Sequence, residues 1–421
     1  MEEFFGSARF ASALTTTAIG TAVLSTALQR TIGWAGLIAM LSLLGVLAIL
    51  SLIARRTYLE WQGLLPISLL VFLTWTALTL IWSQYKWATV IGLLYLGVFT
   101  LLGLTTALTR DTIQIVRAFG GVLRMVLGVS LALEIVAGAL LDSPIGFLGI
   151  EGNLDQFGPL QGLLSTRNQL GLVALLGLIT FGTEFRTKSF SRPAGIASMI
   201  LAGLMLVLSG SPILFAVTLV VCAAAAALYG LRRVRPERRT FWQLALLAGV
   251  GILALMVWAA RSRVIELFAA GDPLAYRLSV WQKVWSLIPQ NPLEGWGWIG
   301  SWRSEVQPFP AFTATNGAVP GSALNAYLDV WFQLGLIGAV IFVGLLGLAF
   351  VRSWLLAGRR RSFVYAWPAL ILVALLATSL AESTILVSYG WMIFVVCCVK
   401  AARELSWRRA FETPAPSAEL P

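Results

Sequence analysis

A polar stripe runs through an otherwise apolar stretch of the sequence, "GSALNAYLDVWFQLGLIG" at residues 321–338. Asn325, Asp329 and Gln333 stand four residues apart, so on a helix they would share one face. In a segment otherwise apolar enough to lie in lipid, such a polar stripe requires polar surroundings. The sequence contains no histidine, so any proton transfer must use Asp, Glu, Lys, Arg, Tyr or the backbone.

Two arginines outside the main basic clusters could bind phosphate. Arg167 lies in "LLSTRNQLG" beside Asn168 and Gln169, and Arg277 lies near the start of "AYRLSVWQKVWSLI". A guanidinium group stays charged and binds phosphate oxygens through paired hydrogen bonds, so arginines that converge on one cavity would suit a diphosphate. The plainer alternatives are a snorkelling side chain for Arg167 and a cation attracted to anionic headgroups for Arg277.

Acidic partners for these cations are few. Glu382, in "TSLAEST", falls near the outer end of a predicted span and is a candidate ion-pair partner for one of the two arginines. Arg124 lies inside another predicted span, where it pairs with Glu134 or another neighbour, or contributes to a site. An ion pair within a membrane usually marks a substrate path, so Glu382 is a candidate site residue.

Cysteine usage gives no sign of a metal centre. Three cysteines fall in apolar runs: Cys222, Cys397 and Cys398. Their spacing matches neither a metal site nor a disulfide framework, which predicts buried, inert thiols. We expect no metal and no cofactor.

The composition indicates a membrane protein. The chain is 58% hydrophobic and 12% charged over 421 residues, whereas soluble domains are about one quarter charged. Apolar runs predict an all-α integral membrane protein with about twelve transmembrane helices. These fall near residues 11–29, 32–54, 64–82, 87–108, 115–140, 164–183, 194–209, 212–229, 241–260, 326–351, 363–383 and 385–401. Residues 1–401 would form one polytopic domain, and residues 402–421 a disordered tail.

The net charge of +11 is explained by orientation in the membrane rather than by nucleic acid. Lys and Arg concentrate in the cytoplasmic loops of membrane proteins. Most of the 30 Lys and Arg residues fall in alternate loops, on the same side as the two termini. This distribution predicts that both termini are cytoplasmic.

Two outward segments are long enough to hold structure, at about residues 141–163 and 261–325. The second contains apolar residues that recur at helical spacing: Leu278, Trp281, Trp285 and Ile288. They predict an amphipathic helix at the outer membrane interface, with Arg277 and Lys283 elsewhere on its surface. Lys283 and Arg303 are further outward cations of this segment, and we expect them to line the same pocket.

Three stretches together resemble the O-antigen ligase and polymerase superfamily of multispanning glycosyltransferases. "LLSTRNQLGLVALL" is similar to the family's arginine-asparagine segment at a helix start. "YRLSVWQKVWSLIPQNPLEGWGWIG" is similar to its outer loop with arginine, tryptophan, proline and glycines in that order. "LNAYLDVWFQLGLIG" resembles the helix that follows. With "SLAEST" added, the resemblance covers roughly residues 163–390.

The resemblance implies a GT-C-like fold in the bacterial cell (inner) membrane, with its active face outside. Such enzymes transfer a glycan from an undecaprenyl-diphosphate carrier to an acceptor hydroxyl on a glycan or lipid, without metal. Arg167 and Arg277 would bind the diphosphate, and Asn325, Tyr327 and Asp329 would line the pocket. We expect further pocket residues at Asn168, Gln169, Lys283, Arg303 and Glu382.

Two positions depart from the family pattern. Leu324 stands where the family usually has histidine, and Pro212 stands where a hairpin usually carries arginine. The acceptor-activating base would then have to be Asp329, Glu305 or Glu382. Three functions stay open: a transferase of ligase or polymerase type with altered chemistry, a partner or regulator that binds lipid-linked glycan without turnover, and a polysaccharide or lipid transporter.

Overall fold

The computed structural model describes residues 2–56, 66–153, 158–260, 272–312 and 320–404. The predicted tail beyond residue 404 and parts of both outward segments lie outside these residues. The α-helices of the described residues are α1 (Glu2–Phe5), α2 (Ala8–Val23), α3 (Ser25–Ala54), α4 (Ile67–Leu78), α5 (Lys86–Thr109), α6 (Thr112–Ile135), α7 (Arg167–Arg186), α8 (Arg192–Leu208), α9 (Pro212–Arg233), α10 (Pro236–Ala259), α11 (Asp272–Leu287), α12 (Ala326–Arg359), α13 (Ala366–Thr378) and α14 (Ser388–Glu404).

Six of the described helices are long and apolar enough to cross a membrane: α3, α5, α6 with its π-helical extension to Leu140, α7, α9 and α12. Shorter apolar helices, α4 and α8 among them, lie between these. The prediction of an all-helical membrane protein is confirmed for the part of the chain that the structure describes. The number of about twelve spans stays a prediction.

The centre of the bundle is formed by α7, α13 and α14, most of whose residues are buried. Their outer neighbours turn large apolar side chains to the surroundings, as helices in lipid do, for example Leu219 on α9 and Val340 on α12. Cys397 and Cys398 are buried as predicted, but Cys222 is exposed. It lies on such an outward apolar face of α9, where a small thiol needs no covering helix.

The predicted amphipathic helix is present as α11, and the structure shows in addition a face that is buried in the protein. Val280 and Val284 are buried, Trp285 is exposed, and Arg277 is itself 9% exposed. The buried face packs against an aromatic cluster formed by Trp302, Phe309 and Phe312 of the outer loop, the segment between α11 and α12, together with Phe332 of α12. Since the loop covers this face, the arginine is buried under it instead of facing headgroups.

Helix α12 is interrupted at Gly335, which has φ 70° and ψ −176°. Such a break frees backbone groups, which are costly at membrane depth unless other protein groups bind them. The outer loop binds them here: the N–H of Trp296 donates to the Phe332 carbonyl at 3.1 Å, and the N–H of Gly297 donates to the Gln333 carbonyl at 2.9 Å.

The other freed groups also have partners. The N–H of Leu336 donates to the Pro292 carbonyl at 2.9 Å, and the Trp75 indole donates to the Leu334 carbonyl at 3.0 Å. The break in α12 is therefore the place where the outer loop is attached to the bundle.

We predict that Gly335→Ala lowers the stability of the protein. This combination of φ and ψ is almost exclusive to glycine and costs a residue with Cβ about 1–3 kcal/mol, and the added Cβ would also meet the Leu293 carbonyl. Gly344→Ala in the same helix is the matched control, because a Cβ there meets nothing within 4 Å. Thermal unfolding of both variants in detergent tests this, and equal unfolding temperatures would contradict it.

Candidate functional site

The polar stripe of α12 holds the outer loop. Gln333 is fully buried, and its side-chain oxygen accepts hydrogen bonds from the N–H groups of Ile299 and Gly300, at 2.9 and 3.1 Å. Its side-chain nitrogen donates to the Gly300 carbonyl at 3.1 Å and to the Asp329 carboxylate at 2.9 Å. These four bonds use the whole hydrogen-bonding capacity of the amide. The stripe is explained by the loop that packs on it.

Asp329 is the second anchor of the same loop. Its carboxylate is 1% exposed and accepts hydrogen bonds from the Trp302 indole at 2.9 Å and from the N–H of Ala323 at 3.4 Å. With the Gln333 amide, these donors satisfy a buried carboxylate. The residue predicted as a tentative base thus lies beneath the loop, and it lines neither of the two cavities described below.

Asn325 caps α12 and ties it to the end of α13. Its side-chain oxygen accepts hydrogen bonds from the N–H groups of Tyr327 and Leu328, at 3.0 and 3.1 Å, as expected of a helix-capping asparagine. Its amide nitrogen donates to the Leu380 carbonyl at 3.0 Å. The Tyr327 hydroxyl donates to the Leu376 carbonyl at 3.2 Å. These bonds hold the start of α12 against the C-terminal end of α13.

Arg277 and Glu382 form an ion pair, with 2.7 Å between Nη2 and Oε1. The side chains are 11% and 15% exposed. Arg277 also donates to the carbonyl oxygens of Ala381 and of Leu324, the latter at 3.4 Å. The pairing of Glu382 with an arginine was expected from the sequence and is present. Arg277 thereby joins α11 to the residue before the start of α12 and to the segment that follows the end of α13.

The ion pair extends to two further helices. The Asn168 amide donates to Oε1 of Glu382 at 2.5 Å, and the Ser211 hydroxyl donates to Oδ1 of Asn168 at 2.7 Å. Ser211 also caps α9, and Pro212 follows it at the first helical turn, where proline is well tolerated. The hairpin that usually carries arginine therefore contributes a serine to the cluster in this chain.

Arg167 is the first residue of α7 and is half-buried. It makes no hydrogen bond or ion pair with the other described residues, so its guanidinium remains available to a ligand. Thr166 caps the helix by accepting a hydrogen bond from the N–H of Gln169 at 3.2 Å. Arg167 is adjacent in sequence to Asn168, but it lines neither cavity described below.

The two remaining outward cations each lie near an aromatic ring. Lys283 donates to the Ala311 carbonyl and lies 5.9 Å from the Phe312 ring. Arg303 lies 5.6 Å from the Trp87 ring and lines a cavity. Lys283 therefore stabilises the loop, and only Arg303 of the two borders open space.

Two cavities are lined by sequence neighbours of the cluster formed by Arg277, Glu382, Asn168 and Ser211, although these four residues line neither cavity. A groove of about 490 Å³ has mostly apolar walls, formed by Trp281, Trp285, Trp331 and Phe342 with Asn325 and Tyr327. A second cavity of about 350 Å³ includes Gln169, Trp298, Arg303 and Tyr389. One space suits an apolar chain and the other a polar ligand.

Leu324, at the position of the family's histidine, has φ 53°. A residue with Cβ in the left-handed region costs about 1–2 kcal/mol, and here its carbonyl faces Arg277. The backbone at this position thus contacts the cluster although the side chain cannot take a proton.

Two intramembrane charges have partners other than those considered from the sequence. Arg124 pairs with Glu184, not with Glu134. Oε1 of Glu134 instead accepts hydrogen bonds from the N–H groups of Gln161 and Gly162, at 3.2 and 2.8 Å. Glu134 therefore anchors the loop that leads into α7, and the pairing with Arg124 was wrong because the next helix, α7, supplies a nearer carboxylate.

Residues 197–343 match the O-antigen ligase family. The resemblance inferred from the motifs is confirmed over this range, which includes Arg277, the outer loop and the polar stripe. Arg167 and Glu382 lie outside the matched residues. No curated protein matches the chain.

Sequence reasoning missed two members of the candidate site, Ser211 and Trp302. Ser211 was overlooked, although a serine directly before proline is typical of a helix start. Trp302 was not singled out, and its indole bond to Asp329 has no signal in residue spacing. Ser211 and Trp302 each contact a residue far away in the sequence. The periodicity of a sequence does not reveal such contacts.

We predict that the Arg277–Glu382 pair contributes more to stability than the exposed pair of Arg360 with Glu404. Removing one member of a buried pair costs on the order of 3 kcal/mol, whereas exposed pairs contribute about 0–1 kcal/mol. The Arg360 side chain is 51% exposed and its pair distance is 3.6 Å. Chemical unfolding of Arg277→Ala and Arg360→Ala in detergent tests this, and equal losses would contradict it.

Proposed function

We propose that this protein transfers a glycan from an undecaprenyl-diphosphate carrier to an acceptor hydroxyl at the outer face of the bacterial cell membrane. The family match supports a role in the assembly of cell-surface polysaccharide. The proposal is carried by the cluster of Arg277, Glu382 and Asn168, which are joined by hydrogen bonds. Arg277 contacts the Leu324 carbonyl, and the next residue, Asn325, lines the apolar groove. An arginine in such a cluster suits a diphosphate whose lipid chain lies in that groove.

In the proposed reaction the acceptor oxygen bonds to the anomeric carbon while the bond from that carbon to the diphosphate oxygen breaks. The carrier leaves as undecaprenyl diphosphate, and the acceptor proton passes to a base. Arg277 and Arg167 stabilise the charge that develops on the diphosphate, and enzymes usually gain more of their rate from such electrostatic stabilisation than from any other single effect. The arginines supply the positive charge that the leaving group needs.

Glu382 is the better candidate for the base. Its side chain belongs to the cluster and is 15% exposed, whereas the carboxylate of Asp329 is buried under the loop. A base must come within hydrogen-bonding distance of the hydroxyl. Asp329, the base named from the sequence, acts in this proposal as a positioning residue for the loop.

Binding without turnover is the second candidate function. It is supported by Leu324 and Pro212, which replace two side chains of the family pattern, and by Glu382, which already neutralises Arg277. In that case the chain would bind lipid-linked glycan as a partner of another enzyme.

A transfer assay with purified protein and an undecaprenyl-diphosphate-linked glycan tests the proposal. We expect Arg277→Ala to weaken carrier binding at least tenfold, the loss expected for a charge-assisted hydrogen bond to phosphate. Arg359→Ala, an exposed cation at the other end of α12, is the control and should bind as the wild type does. We expect Glu382→Gln to retain binding and lose transfer.

The outcomes separate the two functions. Transfer by the wild type that is lost in Glu382→Gln supports the transferase. Carrier binding without transfer by the wild type would favour the binding-only function. Equal weakening by Arg277→Ala and Arg359→Ala would contradict a specific diphosphate site.

We further propose a GT-C-like arrangement of about twelve spans with both termini cytoplasmic, supported by the distribution of basic residues. We expect Ser304→Cys, in the outer loop, to react with an impermeant thiol reagent in intact cells. Ser362→Cys, between α12 and α13, should react only in opened cells. Both serines are exposed, and a Cys222→Ala background removes the exposed native thiol. The reverse labelling pattern would contradict the orientation.

A further inference from the structure

Basic side chains join two loops at the C-terminal end of α12. Arg232, near the end of α9, donates from Nε to the Ala357 carbonyl at 2.9 Å and from Nη2 to the Ser362 carbonyl at 3.1 Å. Arg239, in the first turn of α10, donates from Nη1 to the Gly358 carbonyl at 3.2 Å. The last carbonyl groups of a helix lack partners within it, and cationic side chains stabilise them. The turn between α9 and α10 is thereby held against the end of α12.

The end of α7 reaches the same place. The guanidinium carbon atoms of Arg186 and Arg232 lie 5.9 and 5.1 Å from the centre of the Phe363 ring, and Phe363 stands between α12 and α13. Three loops therefore meet around this ring. We name the surface that they form the three-loop surface, and it consists of residues 186–192, 232–239 and 359–363.

The three-loop surface carries a large excess of positive charge. Its segments contain eleven Lys and Arg residues and one carboxylate, that of Glu237. Arg360 pairs at 3.6 Å with a second carboxylate, that of Glu404. Orientation in the membrane explains why each loop is basic, but it does not require the loops to pack together. Cations that are packed together repel each other, so anions from outside the protein would stabilise this arrangement.

Three arginines of the three-loop surface are free to bind such anions. Arg235, Arg238 and Arg361 are exposed, and their side chains make no hydrogen bond or ion pair with the other described residues. Two of them stand next in sequence to residues that join the loops, Arg238 to Arg239 and Arg361 to Ser362. A guanidinium binds phosphate oxygens through paired hydrogen bonds, so these side chains suit a phosphate at the point where the loops meet.

The loops are too short to carry these cations far from the ends of their helices. Two residues separate α9 from α10, and five separate α7 from α8. Helices α7 and α9 are long and apolar enough to cross a membrane. Cations at the ends of such helices lie at the level of the lipid headgroups.

Exposed aromatic side chains accompany the arginines. Tyr229 is 44%, Phe241 is 67% and Trp242 is 48% exposed. Tyr229 lies on α9 three residues before Arg232, and Phe241 and Trp242 follow Arg239 on α10. Exposed aromatic rings next to basic residues are typical of the membrane–water interface. An acidic protein segment would neutralise the arginines but leave these rings in water, whereas lipids would cover them.

We propose that the three-loop surface binds the phosphate groups of anionic phospholipids. The phosphate oxygens accept hydrogen bonds from Arg235, Arg238 and Arg361, and the lipid chains pack against Phe241 and Trp242. Lipids that bind arginines of two loops also stabilise the packing of α9 and α10 on α12. The proposal is independent of glycan transfer, because it uses none of the residues of the Arg277 cluster.

Binding of fluorescent phosphatidylglycerol to the full chain in neutral detergent tests the proposal, with phosphatidylcholine of the same chain length as the reference. We expect the wild type to prefer phosphatidylglycerol. The double variant Arg238→Gln/Arg361→Gln should lose this preference by about fivefold for each arginine removed. The charge-matched control is Arg9→Gln/Lys86→Gln, whose residues are exposed on α2 and α5, outside the three-loop surface. It should match the wild type.

Thermal unfolding separates a lost lipid site from a damaged fold. Without added lipid, both double variants should unfold at the wild-type temperature, because none of the four side chains has a partner among the described residues. Phosphatidylglycerol should raise the unfolding temperature of the wild type and the control more than that of Arg238→Gln/Arg361→Gln.

Three results would overturn the proposal: no preference for phosphatidylglycerol in the wild type, an unchanged preference in Arg238→Gln/Arg361→Gln, or an equal loss in the control. A wild type that binds a polyglutamate peptide and shows no lipid preference would overturn it in favour of an acidic protein partner.

Discussion

A helix that is interrupted inside a membrane must find partners for the backbone groups that the interruption releases, and this constraint organises the outer half of the protein. Helix α12 is interrupted at Gly335. The N–H and carbonyl groups of the outer loop form hydrogen bonds with the backbone groups that the interruption releases. The side chains of Gln333 and Asp329 then fix the following residues of the loop. The loop in turn covers the buried face of α11 and so holds Arg277 inside the protein.

Burial of Arg277 explains why so many elements meet at one point. A guanidinium removed from water must be paired and hydrogen-bonded, and Glu382 with two carbonyl groups meets that need. Asn168 and Ser211 extend the same network to α7 and α9. The charge that would bind a diphosphate is thus held by contacts that also stabilise the fold, so a ligand would compete with Glu382 for the arginine.

The sequence predicts the helices better than it predicts their contacts. Apolar runs of membrane-spanning length were enough to predict a helical membrane protein, and each predicted span overlaps a described helix. The amphipathic spacing of α11 predicted a helix, and its Trp281 and Trp285 line the apolar groove. The spacing gave no sign that Arg277 is buried, because that depends on how the outer loop packs on the helix. The motifs predicted a family resemblance over roughly residues 163–390, which is confirmed over residues 197–343. The pairing of Arg124 with Glu184 and the role of Ser211 depend on which helices are neighbours, which one sequence does not encode in its spacing.

The central claim, that the Arg277 cluster binds the diphosphate of a lipid carrier, is tested most directly by a density map of the protein in lipid nanodiscs with undecaprenyl diphosphate. The account predicts density for two phosphates within hydrogen-bonding distance of Arg277 and Asn168, with Glu382 turned away from the arginine and the lipid chain in the groove lined by Trp285 and Trp331. Carrier density elsewhere on the protein, with the Arg277–Glu382 pair intact, would contradict it.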